Sequence, residues 1–224
     1  MTTLRLGVVS YLNAVPLAYG LEGDPRFELV RDVPSRIADR LHAGELDLGM
    51  IPSIEYARGD YAIVPGVAIG SRGPVRSVGL FHRRPLEEVR RVALDTSSRT
   101  SVALARVLLR ERLGRDPEYA PMRPDLEEML AAADAALLIG DPALDYQGDC
   151  PRLDLGAEWE RQTGLPFVYA FWAGPRGALG AGDVARLQEA LRAGLACVGE
   201  IASRYNGHGR RSALYESYLR SNIA

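Results

Sequence analysis

The feature that most restricts the fold of this sequence is its alternation of short apolar runs with segments of helical, 3.6-residue periodicity. Leu4 to Val9 is the first run, and it ends in Ser10-Tyr11-Leu12-Asn13, after which Ala14 to Leu21 has helical character. A second strand over Phe27 to Asp32 leads to a helix from about Ser35 to Ala43, with Pro34 at its start and Gly44 at its end. Asp47 to Ile51 reads as a third strand feeding Pro52-Ser53, where the hydroxyl marks a helix N-terminus. Weaker strands are expected at Tyr61 to Val64 and Val67 to Ile69. Ser71-Arg72-Gly73-Pro74 then breaks the chain before a strand from Ser77 to His82. Further on, Arg91 to Asp95, Ala135 to Ile139, Leu153 to Leu155 and Phe167 to Ala173 read as strands. Ser101 to Leu113, Glu158 to Gln162 and one long segment, Asp183 to Ser203 with Asp183 as N-cap, read as helices. This alternation predicts an α/β fold with parallel or mixed sheets and ligand groups at the carboxyl ends of strands.

Composition excludes several function classes. The 27 basic residues are all Arg, so Schiff-base chemistry, a pyridoxal-phosphate anchor and a Walker-type phosphate loop are ruled out, each needing a Lys. A net charge of −2, with both signs interspersed, leaves no basic stripe for nucleic acid. No segment has the ~20 uninterrupted apolar residues of a membrane span, so no membrane partner is expected. Cys150 and Cys197 are far apart in sequence and His42, His82 and His208 are scattered, which predicts reduced thiols and no metal site. His42 and His82 are expected to be structural, and His208 to lie on a surface loop. The opening residues run into a strand without a leader pattern, so a cytoplasmic protein is expected.

Four strand-following segments are rich in donors: Ser10-Tyr11-Leu12-Asn13, Pro52-Ser53, Arg76-Ser77 and Asp95-Thr96-Ser97-Ser98-Arg99-Thr100-Ser101. Together they suggest an oxyanion-binding set. In the last, hydroxyls and backbone N–H groups gather at a helix N-terminus, where a carboxylate or phosphate is favoured. One hydroxyl suffices for an ordinary cap, so the length of the run favours anion binding. Asn13 orients a ligand or holds a turn, and its residue type alone favours the turn. Tyr11 lines a pocket or packs. Asp141, after the Ala135 to Ile139 strand, accepts a proton or caps a turn.

Six ordered motifs, spread over nearly the whole chain, resemble the menaquinone-biosynthesis family that contains the chorismate dehydratase of the futalosine route. They are Val9-Ser10-Tyr11-Leu12-Asn13-Ala14-Val15-Pro16-Leu17, Asp47 through Tyr56, Ser71 through Val78, Leu94 through Ser101, Leu138 through Leu144, and Trp159 through Phe167. The resemblance implies a two-lobed fold like type II periplasmic binding proteins, with residues 1–74 and 170–224 in one lobe and 75–169 inserted as the other. It also implies conversion of chorismate to 3-[(1-carboxyvinyl)oxy]benzoate without a cofactor. The dianionic substrate would be gripped by Ser10, Tyr11, Ser53, Arg76, Ser77, Ser97, Ser98 and Thr100. Asn13 would orient the substrate's own enolpyruvyl carboxylate as the base, with Asp141 as the side-chain alternative for acid or base. Family members continue past the Ser-Tyr-Leu-Arg-Ser-Asn-Ile segment near which this sequence stops.

Two other readings differ in chemistry. A sister enzyme of the same fold forms 1,4-dihydroxy-6-naphthoate from cyclic dehypoxanthine futalosine, but carries a His-Glu-Gly-Gln-like segment where this sequence has Gly140-Asp141-Pro142-Ala143. A non-catalytic cytoplasmic solute-binding or sensor protein would use the same fold without turnover.

Overall fold

Leu6, Val8 and Val9 are buried in β1 (Leu4–Val9), where β-branched and apolar side chains suit a pleated, covered surface. Gly7 sits between them because a Cβ there would lie 2.6 Å from Leu46 and 2.8 Å from Ile37. In this computed structural model, which describes residues 3–205 and 211–223, β2 (Phe27–Asp32) and β3 (Leu48–Pro52) pair with β1 on either side, both parallel to it. Helix α1 (Pro34–His42) connects them, opening on Pro34 and followed by Gly44 at φ 73°. Where Ala14 to Leu21 suggested a helix, there are two 3-10 turns, Leu12–Ala14 and Pro16–Ala18. Pro16 has no N–H to give to an α-helical ladder. The two weaker strands are one, β4 (Tyr61–Ser71), with Gly66 at φ 74° in its middle. It lies at the edge of its sheet, where the missing N–H of Pro65 is tolerated.

The described residues divide into two compact units, one made of the chain up to Gly70 with Val168 onward, the other of Ser71–Phe167. The second contains β5 (Val78–His82), β6 (Arg91–Asp95), α2 (Arg99–Leu113), β7 (Glu118–Met122), α3 (Leu126–Ala132), β8 (Ala135–Ile139), α4 (Gly140–Leu144), β9 (Arg152–Asp154) and α5 (Leu155–Thr163). Its sheet runs β7-β6-β8-β5-β9, with β6 parallel to β7 and β8, and β5 antiparallel to β8 and β9. Two of these elements carry little sequence signal. β7 is an edge strand whose residues are exposed or half-buried, and α3 is only seven residues long, so neither shows a clean apolar period.

The chain re-enters the first unit along β10 (Phe167–Pro175), antiparallel to β3, with the buried Trp172 opposite Met50. That completes the sheet order β2-β1-β3-β10-β4. The predicted single helix from Asp183 to Ser203 is two, α6 (Ala181–Ala196) and α7 (Val198–Arg204), separated at Cys197 with φ −103° and ψ 19°. Gly180 is the N-cap, and Asp183 lies three residues inside, taking the Gly180 N–H at 3.0 Å. A final helix, α8 (Ser212–Ser221), packs against α7. His208 falls outside the described residues. Both sheets are thus mixed: β10 runs antiparallel to β3 in the first, and β5 antiparallel to β8 and β9 in the second.

Candidate functional site

In the second unit the strand registers gather three predicted segments, together with Asp154, at one end of the sheet, called its edge below. Val78 at the start of β5 pairs with Ile139 at the end of β8, and Gly79 pairs with Asp154 at the end of β9. β6 ends on the same side, since Leu94 pairs near Leu137 of β8. Arg76-Ser77, Asp95 through Thr100, Gly140-Asp141 and Asp154 therefore share that edge.

Each group there has a definite local role. Asp95 is fully buried and accepts three hydrogen bonds: from the Ser97 N–H at 2.8 Å and hydroxyl at 2.6 Å on one oxygen, and from the Ile139 N–H at 3.1 Å on the other. Burial pushes its carboxyl above the usual range, against the lowering effect of those donors. Ser97 spends its proton on Asp95 and so offers a substrate carboxylate no hydroxyl donor in this arrangement. Ser98 is the N-cap of α2, accepting the Ser101 N–H at 3.2 Å, which leaves its own proton to give. Thr100 is buried in the first turn of the same helix. Ser77 is buried too, and its carbonyl takes the Gly140 N–H at 2.8 Å, joining β5 to the start of α4. Asp141 is half-buried in the first turn of α4, where its carbonyl accepts the Asp145 N–H.

Arg76 stands apart. Among the described residues it alone, other than glycines, has a left-handed backbone, with φ 62°, a conformation that strains a side chain of this size. Its N–H donates to Asp154 at 2.7 Å and the Val75 N–H to the other oxygen of the same carboxylate at 3.0 Å. Asp154 also caps α5 by accepting the Gly156 and Ala157 N–H groups, each at 3.0 Å. The Arg76 guanidinium has no hydrogen bond or ion pair with any described residue.

In the first unit, Ser10 and Tyr11 follow β1, and Ser53 follows β3, at the carboxyl ends of parallel strands. Ser10 is exposed, with its N–H on the Asp32 carbonyl and its carbonyl accepting the Tyr205 hydroxyl at 3.2 Å. Tyr11 is half-buried against the apolar core. Ser53 does not cap a helix as predicted. Its hydroxyl donates to the Val168 carbonyl at 2.8 Å, fastening the turn after β3 to β10. Asn13, in the first 3-10 turn, lines an apolar cavity of about 420 Å³ with Leu17, Val67, Phe171 and Leu191. Its Oδ1 is buried and has no partner, an arrangement that costs energy unless a ligand or water supplies a donor.

Two functional candidates were not singled out from sequence. Asp95 opens the polar run, but nothing there marks it as the carboxylate that orders the run. Asp154 shows only the cap signal of an Asp before a helix, and its hold on Arg76 crosses 78 residues. His42 bridges Tyr61 at 2.6 Å and Glu55 at 2.8 Å. His82 bonds the Arg84 carbonyl at 2.8 Å through Nδ1. Cys150 and Cys197 are free thiols. Among the described residues no group of three His, Cys, Asp or Glu side chains could hold a metal ion, and no helix is long and apolar enough to cross a membrane.

A family model described as menaquinone biosynthesis matches residues 4–218. The chain belongs to the menaquinone-biosynthesis family. Within reach of this family, a chorismate dehydratase from Thermus thermophilus is 35% identical over an alignment covering 88% of this chain and 79% of that protein. A chorismate dehydratase from Campylobacter jejuni is 32% identical, covering 73% of this chain and 64% of its own length. Solved structures share the fold. A protein from Archaeoglobus fulgidus superposes with a TM-score of 0.68 at 19% identity, covering 97% of this chain and 85% of that one. A Candida albicans protein described as having the generic periplasmic binding protein fold does so at 0.52 and 14% identity, covering 97% and 76%. The fold of this family member is therefore periplasmic-binding-protein-like.

Proposed function

We propose that this chain is a chorismate dehydratase. It removes the ring proton from the carbon bearing the enolpyruvyl ether and expels the hydroxyl from the adjacent carbon, giving 3-[(1-carboxyvinyl)oxy]benzoate and one water. Two relatives of that name, at 35% and 32% identity, carry this reading.

The side chains at hand suit a dianionic substrate. The unpaired Arg76 guanidinium and the hydroxyls of Ser77, Ser98 and Thr100 at the start of α2 and β5 supply charge and donors for carboxylates. The elimination makes an aromatic ring, so its driving force lies in the product and the protein's task is alignment. Asn13 cannot act as a base near neutral pH. The substrate's enolpyruvyl carboxylate takes the ring proton while the Asn13 amide orients it, and Asp141 gives a proton to the departing hydroxyl.

Incubating purified protein with chorismate and following the aromatic enolpyruvyl ether by absorbance and mass tests this. Tight binding without turnover would refute the enzyme reading. Asn13→Ala is expected to lower kcat by roughly 100-fold, and an unchanged kcat would remove the orienting role.

A further inference from the structure

We propose that Asp154 is a positioning residue for this reaction, acting through Arg76: it takes the Val75 and Arg76 N–H groups and so holds Arg76 in the left-handed conformation that leaves its guanidinium free for a substrate carboxylate. The inference rests on the dehydratase reading for its substrate, and on geometry for everything else.

A left-handed Arg is unfavourable by itself and persists only where surrounding contacts over-determine it. Here the contacts are specific. One carboxylate spans the turn, with Oδ2 on the Arg76 N–H at 2.7 Å and Oδ1 on the Val75 N–H at 3.0 Å. The next N–H, from Ser77, folds back onto the Val75 carbonyl at 2.7 Å, and the Arg76 carbonyl accepts from Arg152 at 3.4 Å. The backbone of Arg76 is thus tied at both its N–H and its C=O while its side chain has no partner. A turn that needed only to change direction would be better served by Gly, which adopts this φ without strain. Gly73, three residues earlier, does so at φ 79°. Keeping an Arg where Gly would be easier implies that the guanidinium is what the turn is for.

The division of labour on Asp154 supplies a selective probe. Oδ1 accepts Val75, Gly156 and Ala157, whereas Oδ2 accepts only Arg76. In Asp154→Asn the amide oxygen can keep the three bonds of Oδ1, including the cap of α5, because Asn is as good a cap as Asp. The amide NH₂ then faces the Arg76 N–H, donor against donor, and that one anchor is lost.

The expected outcome for Asp154→Asn is a KM for chorismate raised about tenfold, with kcat within twofold of the parent and the thermal midpoint nearly unchanged. In an Arg76→Ala background the same substitution should change KM no further, because the group it positions is gone. A normal KM for Asp154→Asn, or an equal added loss in the Arg76→Ala background, would overturn the proposal. Titration of chorismate binding by calorimetry on the same four proteins separates this from the enzyme reading. Binding that follows the same non-additive pattern without turnover would keep the positioning role and refute the dehydratase. No binding by the parent protein would overturn both.

Discussion

Asp95 meets donors on both of its oxygens, and only a carboxylate has acceptors on both sides. Asp95→Asn turns an N–H toward either Ile139 or Ser97 inside a fully buried site. The expected loss is about 2 kcal/mol, read from urea unfolding at neutral pH. The pH dependence has a definite sign. Burial raises the folded value above the unfolded one, so protonation favours the folded state. This group's contribution is present below the ordinary carboxylate range and is lost as pH rises through its raised value. Asp95→Asn should flatten that part of the stability profile, and a profile identical to the parent's would contradict it. The polar run from Asp95 to Ser101 was legible as a donor-rich loop, but the assignments within it were not. Which hydroxyl caps the helix and which is spent on the carboxylate depends on where β8 lies, 44 residues away.

Among the elements, α6 shows how packing overrides local preference. Gly194 lies inside this helix, where Ala would be favoured by about 1 kcal/mol on propensity alone. A Cβ at Gly194 would overlap the carbonyl oxygen and Cα of Pro16, which are backbone atoms and cannot rotate away. Gly194→Ala should therefore destabilise, by roughly 1–3 kcal/mol, visible as a lower urea midpoint; a gain in stability would mean that the turn at Pro16 yields easily. The same close approach fits α6 to the 3-10 turn Pro16–Ala18 that precedes Tyr19. Arg186 on α6 reinforces it, bonding the Gly20 carbonyl and Asp24. The strands were the most legible elements because their buried runs have few alternatives. The break between α6 and α7 was not, since Asp183 through Ser203 has no Pro to mark it and Cys197 is an unremarkable helix residue.

For the whole chain, acid stability depends on carboxylates held by arginines and backbone amides. The Arg26 guanidinium holds Asp24 well below the usual range, Arg5 lowers Asp47 and Arg161 lowers Glu158, while the Arg90 N–H lowers Asp134. Each depressed group contributes stability above the ordinary carboxylate range that is lost as pH falls through its folded value. Glu87 is lowered as well, so Asp95, with the opposite sign, is one group against five. The urea midpoint is expected to be lower at pH 3 than at pH 7, and an equal or higher midpoint at pH 3 would show that these pairs contribute nothing. The sequence by itself determined the α/β class, the exclusion of lysine chemistry and the family, because periodicity, composition and ordered motifs are properties of neighbouring residues. Only the tertiary structure decided that Arg76 is held left-handed by Asp154, that the Ser53 and Ser97 hydroxyls donate hydrogen bonds to the Val168 carbonyl and the Asp95 carboxylate, and that Asn13 keeps an unpartnered oxygen in an apolar cavity. Those are contacts between residues far apart in the chain, and hydrogen-bond partners at that distance are set by strand register and packing, which no local pattern encodes.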